Sequence, residues 1–270
     1  MSGPEAGAIA PTRQPYLVLA LIGLAAGFLS GLFGVGGGTV IVPALVAFAA
    51  FNRKLASGTS LLAIVPTSIV GVITYGVGGH VHWVTAGILA IGTVVGAQIG
   101  TWLLAKLSTQ FLRWAFVAFL LVVAVQLFLT VPMRDGDVVI DAGLIAGLIA
   151  VGLATGILSG LLGVGGGVIV VPAMILLFGY SDLLAKGTSL LMMVPTAISG
   201  TIGNLRRSNV DVKAGLVVGL AACFTVTLGA FVAGKLDPQV ANWLFIAFLV
   251  FLIVKTTLEA LKVRRGAAGK

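Results

Sequence analysis

Long apolar runs separated by short polar breaks dominate the chain. In the first half they occupy residues 16–33, 39–51, 57–79, 83–104 and 111–131, and in the second 142–162, 168–179, 186–204, 213–234 and 240–258. A helix needs roughly 20 apolar residues to cross a ~30 Å hydrocarbon core, and most of these runs have that length. Two do not: a run such as 39–51 reaches only about 20 Å as a helix, so each short run is expected to enter the membrane partway and return.

Both short runs follow the same break, GVGGG, at residues 34–38 and again at 163–167. Glycine loses more backbone entropy on ordering than any other residue, so four glycines in five positions should interrupt a membrane helix. The repetition extends well beyond the break. GFLSGLFGVGGGTVIVP (27–43) aligns without gaps to GILSGLLGVGGGVIVVP (156–172) at an offset of 129 residues, with 12 of 17 positions identical. The same offset relates SGTSLLAIVPT (57–67) to KGTSLLMMVPT (186–196), and AKLSTQFLRWAFVAFL, from Ala105, to GKLDPQVANWLFIAFL, from Gly234. Two homologous halves therefore account for nearly the whole chain, a common way to build a transporter.

Composition narrows the class. With 59% hydrophobic and 9% charged residues among 270, and a mean hydropathy of +1.17, the chain is far from a water-soluble domain with about 25% charge. The net charge of +8 comes from basic residues scattered among short loops, which argues against a nucleic-acid partner. The lone Cys223 excludes an intrachain disulfide and a cysteine metal site, and reads as a small core residue. The run starting at Tyr16 follows Arg13 as a signal peptide would, but its counterpart is internal, so it is expected to be retained. The expected organisation is a flexible tail at 1–15, a first membrane repeat at 16–131, a linker at 132–141, a second repeat at 142–260 and a basic tail at 261–270.

Lysine and arginine discriminate between topologies, because short cytoplasmic loops accumulate them. If each glycine-broken region forms a hairpin, each half has an odd number of passes and the halves are inverted. One side then collects Arg13, Arg53, Lys54, Lys106, Arg113, Arg206, Arg207, Lys213, Lys262, Arg264, Arg265 and Lys270, against Arg134, Lys186 and Lys235 on the other. Single crossings divide the same residues nine against six, with hardly any bias. The expectation is an all-α polytopic membrane protein with 8 to 10 membrane segments, arranged as an inverted repeat with both termini cytoplasmic.

Nucleotide chemistry finds no support. GLFGVGGG lacks the lysine of a P-loop, GAFVAGKL (229–236) has leucine where a magnesium-binding hydroxyl belongs, and Thr39 replaces the last glycine of a dinucleotide motif. An intramembrane hydrolase needs a nucleophile beside a base. The only histidines, His80 and His82, lie in a loop and read as interfacial residues beside Trp83, so no catalytic residue, cofactor or metal site is expected.

A broken helix offers a transporter something else. The N-terminus of a half-helix presents free N–H donors and partial positive charge, which favours anions. Gly36, Gly37, Gly38 and Thr39, with Gly165, Gly166 and Gly167, are the candidate anion-binding backbone. The duplicated GTSLL and VPT motifs add the hydroxyls of Thr59, Ser60 and Thr67 and of Thr188, Ser189 and Thr196, which can donate to an oxyanion without burying a charge. Pro43, Pro66, Pro172 and Pro195 are candidate helix kinks, and Asn204 a candidate at the cytoplasmic mouth near Arg206 and Arg207. Close helix packing is the competing role for the spaced glycines 23, 27 and 31 and 152, 156 and 160. All eight acids fall in tails, loops or segment ends, which disfavours a cation pathway and suits an anion.

At these residues the sequence resembles the sulfite exporter TauE/SafE family. The resemblance rests on the duplicated G-x-x-S-G-x-x-G-V-G-G-G-x-x-x-V-P at 27–43 and 156–172 and on GTSLL from Gly58 and Gly187, and spans about residues 16–260. It implies an inner-membrane permease exporting sulfite, a sulfonate or a related small anion, in a family often described with seven or eight spans. The expected partners are that anion and the lipid bilayer, and a homo-oligomer is compatible with the sequence. The function expected is secondary anion transport by alternating access, with an anion channel and a non-transporting membrane scaffold as alternatives.

Overall fold

The computed structural model describes residues 16–103, 142–162 and 164–268, together with Trp114, Val117, Ala118, Leu120, Leu121, Ala124, Val125 and Phe128. The expected tail at 1–15, the linker at 132–141 and most of the run at 111–131 lie outside the described residues.

The described chain is helical. α1 (Tyr16–Phe33), α2 (Gly38–Phe48), α3 (Arg53–Val77) and α4 (Trp83–Leu103) form the first half. α5 (Ala142–Leu162), α6 (Gly167–Phe178), α7 (Asp182–Leu205), α8 (Val212–Lys235) and α9 (Pro238–Ala268) form the second. Seven of these are long and apolar enough to cross a bilayer, while α2 and α6 are not. Local chemistry fixes the starts. Asn52 caps α3 through Leu55 N–H at 2.9 Å, Ser181 caps α7 through Leu184 N–H at 3.4 Å, and Asp211 caps α8 through Ala214 N–H at 2.9 Å. The sequence-based boundary for α7, residue 186, is four residues late, because the charges at 182 and 186 read as a loop.

Small residues draw the helices together, as expected where lipid removes the hydrophobic drive between them. On α8 the buried face is Val218, Ala222, Val226 and Ala230, and the exposed face is Leu220, Phe224, Leu228 and Phe231. Bulk thus points outward, towards where lipid would be. A methyl group on Gly23, Gly27 or Gly31 of α1 would overlap the carbonyls of Val218, Ala222 or Val226. Exchanging the halves gives the same seam: Gly152 and Gly156 of α5 press on the Leu89 and Thr93 carbonyls of α4, each pair shifted by 129 residues from its counterpart. The packing role of these spaced glycines is therefore realised between halves.

Residue pairings give helix directions. Numbers rise together along α1 and α8 (23 with 218, 31 with 226), along α3 and α8 (Leu62 with Gly215, Pro66 with Gly219), along α4 and α5 (Gly92 with Ile149, Gly96 with Leu153), and along α4 and α7 (Thr93 with Thr196, Gln98 with Ser199). They oppose along α3 and α7, where Leu61 meets Gly200 and Gly71 meets Leu190. Hence α1, α3 and α8 point one way and α4, α5 and α7 the other. α3 and α7 cross at the centre, with Ile64 and Met193 at mid-helix.

Candidate functional site

The two glycine breaks meet at that centre. Gly37 and Gly166 cap α2 and α6 with φ of 74° and 87°, a left-handed conformation that glycine adopts without strain. Gly37 sits beside the Ala26 carbonyl, seven residues before the end of α1, so the chain doubles back at the break. A Cβ on Gly38 would lie 2.8 Å from the Val164 carbonyl oxygen, and one on Gly167 would lie 2.6 Å from that of Gly34. Gly36 and Gly165 both abut Met193, and Gly165 also abuts Ile64 at 3.0 Å. Backbone thus touches backbone at mid-height, where a side chain on either strand would force the breaks apart. The first intrahelical bonds run to the Gly37 carbonyl from Val40 and Ile41, both 2.9 Å, and to the Gly166 carbonyl from Ile169 and Val170, 3.0 and 3.1 Å. The N–H groups of Gly38 and Thr39, and of Gly167 and Val168, precede those bonds and belong to the open first turns.

The hydroxyls singled out in the sequence divide into four sets. Thr59 accepts from Asp211 N–H at 3.0 Å and Thr188 from His82 N–H at 2.9 Å, so each fastens the other half's interhelical loop. Thr67 donates to the Ala63 carbonyl at 2.8 Å; Thr196 donates to that of Met192 at 2.9 Å and shares a bond with Thr93 at 2.7 Å. Ser189 donates to the Gly34 carbonyl at 2.5 Å and thereby holds the first break. Ser60 and Thr39 are buried without a hydrogen-bond partner among the described residues, as is Ser30 one turn before the break. Buried polar groups are nearly always paired, so unpartnered Thr39 in the first turn of α2, and Thr155, equally unpartnered and packed against the Gly166 cap of α6, leave hydroxyls unsatisfied at both breaks. The set is asymmetric, since Thr39 corresponds to Val168.

The remaining candidates lie elsewhere. Asn204 donates to the Gly200 carbonyl at 2.8 Å within α7, away from the breaks, and Arg206 and Arg207 follow it, exposed. Pro43, Pro66, Pro172 and Pro195 all lie inside helices. His82 is tied into a chain, with Nδ1 2.8 Å from Thr85 Oγ1, itself 2.5 Å from the Tyr180 hydroxyl. Burial pushes the Tyr180 hydroxyl above its ordinary pKa, against the lowering effect of the Thr85 bond.

One feature corrects the sequence reading. Lys186 and Asp182, both read as loop residues from the sequence, lie in the first two turns of α7, where they form a buried ion pair at 3.3 Å. Their i,i+4 spacing was the available signal, but burial comes from tertiary packing against the Gly34 break.

Comparison with known proteins settles the family. The model for the sulfite exporter TauE/SafE family matches residues 19–256. The chain belongs to the TauE/SafE family. TauE/SafE proteins are membrane transporters, which agrees with the seven long apolar helices. Among curated relatives, the probable membrane transporter protein YunE of Bacillus subtilis is 28% identical over 83% of this chain and 90% of its own length. A probable membrane transporter protein of Haemophilus influenzae is 27% identical over 90% of this chain and 98% of its own. The Arabidopsis thaliana sulfite exporter TauE/SafE family protein 1 is 32% identical over 40% of this chain and 24% of its own. No solved structure gives a significant match.

Proposed function

We propose that this TauE/SafE protein is a secondary transporter of the bacterial inner membrane that exports a small anion, sulfite or a related sulfur oxyanion or organosulfonate. The anion binds where the two glycine breaks meet, between the first turns of α2 and α6 and the hydroxyls of Thr39 and Ser60. The observation that carries this reading is the meeting of two open helix N-termini, with unpartnered Thr39 in the first turn of one and unpartnered Thr155 against the cap of the other. Donors alone suit an oxyanion, which accepts hydrogen bonds and is favoured by the positive end of a helix.

The halves form an inverted repeat with cytoplasmic termini, and transport proceeds by one half rocking against the other. Support comes from helix directions, since counterparts α1 and α5, α3 and α7, and α4 and α8 point opposite ways. In a Cys223→Ala background, cysteines placed at Gly79 and Ser208, both exposed, are expected to react with impermeant maleimide from opposite faces of the membrane. Labelling of both from one face rules out the inverted arrangement. Reconstituted protein should give saturable sulfite efflux, accelerated by sulfite on the far side. Acceleration marks a carrier; its absence alongside efflux marks a channel, and absence of efflux removes sulfite as the substrate.

A further inference from the structure

The buried pair of Asp182 and Lys186 has features that a structural salt bridge lacks. Both side chains are about 95% buried, at 5% and 4% exposed, yet Asp182 Oδ1 has no hydrogen-bond partner among the described residues. A buried pair offsets its desolvation cost only when geometry is good and the remaining lone pairs are satisfied. Nor does the repeated fold require it, because the positions equivalent to 182 and 186 are Arg53 and Ser57, with no acid.

Its location gives it a task. The Lys186 stem lies against the first break, where a Cβ on Gly34 would be 2.6 Å from Lys186 Cα and 3.0 Å from its Cγ. One turn further along α7, Ser189 holds the Gly34 carbonyl. From α3, Tyr75 lies within electrostatic reach of Asp182 and donates to the Gly31 carbonyl at 2.6 Å. The other titratable groups facing this region are His80 and His82 in the loop before α4, where the His80 carbonyl abuts Gly187, and Tyr180 in the segment preceding α7. α4 and α6 carry no charged residue.

We propose that Asp182 and Lys186 couple anion movement to a proton. In the conformation described, the Asp182 carboxylate accepts from the Lys186 ammonium. An anion entering at the glycine break draws that ammonium to itself by rotation about the lysine side chain's own bonds. The carboxylate, now buried without its counter-charge, takes one proton from water on the open side to become a neutral acid. When the anion leaves, Lys186 returns, and Asp182 releases the proton to water on the other side. One proton thus travels with each anion, and the Asp182 carboxylate is never left charged without its counter-charge.

This rests on the anion-transport reading, and the test separates the two. Full-length protein in liposomes is loaded with sulfite above the second ionisation of sulfite, where no neutral sulfur dioxide leaks. A pH dye and radiolabelled sulfite exchange are followed with the membrane potential shunted. Wild type should move protons with sulfite. Asp182→Asn should keep sulfite exchange and lose the accompanying proton movement, Asp182→Glu should restore it, and Lys186→Met should lose both. Wild-type sulfite flux with no proton movement overturns coupling alone, and needs no variant to fold. Proton movement that persists in Asp182→Asn overturns the assignment to this pair, as does equal loss of exchange in Asp182→Asn and Lys186→Met. Wild type that moves no sulfite overturns the transport reading, and the coupling proposal with it.

Discussion

Gly27→Ala is expected to destabilise the protein by about 2–3 kcal/mol, lowering the thermal midpoint by about 5–10 °C. The added methyl would overlap the Ala222 carbonyl and stand 2.5 Å from Thr225 Oγ1 and 2.6 Å from Ala222 Cα. Two of these three neighbours are backbone, so no rotamer change relieves the clash, and α1 must move away from α8 along the seam. Gly156→Ala, the counterpart, meets the Thr93 carbonyl and should behave alike. The control lies in the same composition class. Gly87, Gly203 and Gly234 are helical glycines with nothing within 4 Å of a Cβ, and their alanine variants should be neutral or more stable by up to about 1 kcal/mol, since alanine is the better helix former. Thermal unfolding of purified protein, followed by size-exclusion chromatography, reads all five. Equal midpoints for Gly27→Ala and Gly87→Ala would show that the α1–α8 seam is not a close contact.

The second large effect separates transport from stability. Thr39→Val and Ser60→Ala remove hydroxyls with no protein partner, so stability should hold or rise by about 1 kcal/mol. If those hydroxyls donate to the anion, losing one such bond should weaken apparent affinity by about 10- to 100-fold. Thr59→Val and Thr188→Val should do the reverse. Each leaves an N–H, of Asp211 or His82, without its acceptor, which costs about 1–2 kcal/mol and loosens a loop before it affects the anion. Concentration dependence of sulfite efflux, measured beside the thermal midpoint, distinguishes the sets. Wild-type kinetics in the Thr39→Val, Ser60→Ala double variant would remove both residues from the anion's path.

Much of the helical framework was legible. The runs 16–33 and 142–162 coincide with α1 and α5, because an apolar stretch of membrane length leaves little choice of boundary. The breaks were legible as well, since clustered glycines interrupt a helix, and Gly37 and Gly166 do adopt positive φ; the close packing of Gly38 against Val164 and of Gly167 against Gly34 was not. The glycines at 23, 27 and 31 read as a packing stripe, but α8 as the partner did not, because spacing on one helix says nothing about which helix faces it. The hydroxyls were the least legible. Thr59 and Ser60 are adjacent and alike, yet one fastens a loop from the other half and the other has no partner. That difference arises only when the halves come together. Burial of Asp182 and Lys186 was hidden for the same reason: a charged pair near a segment end looks solvated until another element covers it.

The exchanged seams impose an order on synthesis that the finished molecule conceals. Gly92 of α4 meets Ile149 of α5, so that seam can close once about 60 further residues have been made. Gly23 of α1 waits for Val218 of α8, about 195 residues later, which at ~5–20 residues per second is roughly 10–40 s. Through that interval the glycine stripe of α1 lacks the helix it packs against. Two seams that are equivalent in the folded protein are thus unequal in time, and α1 is made long before the helix it packs against.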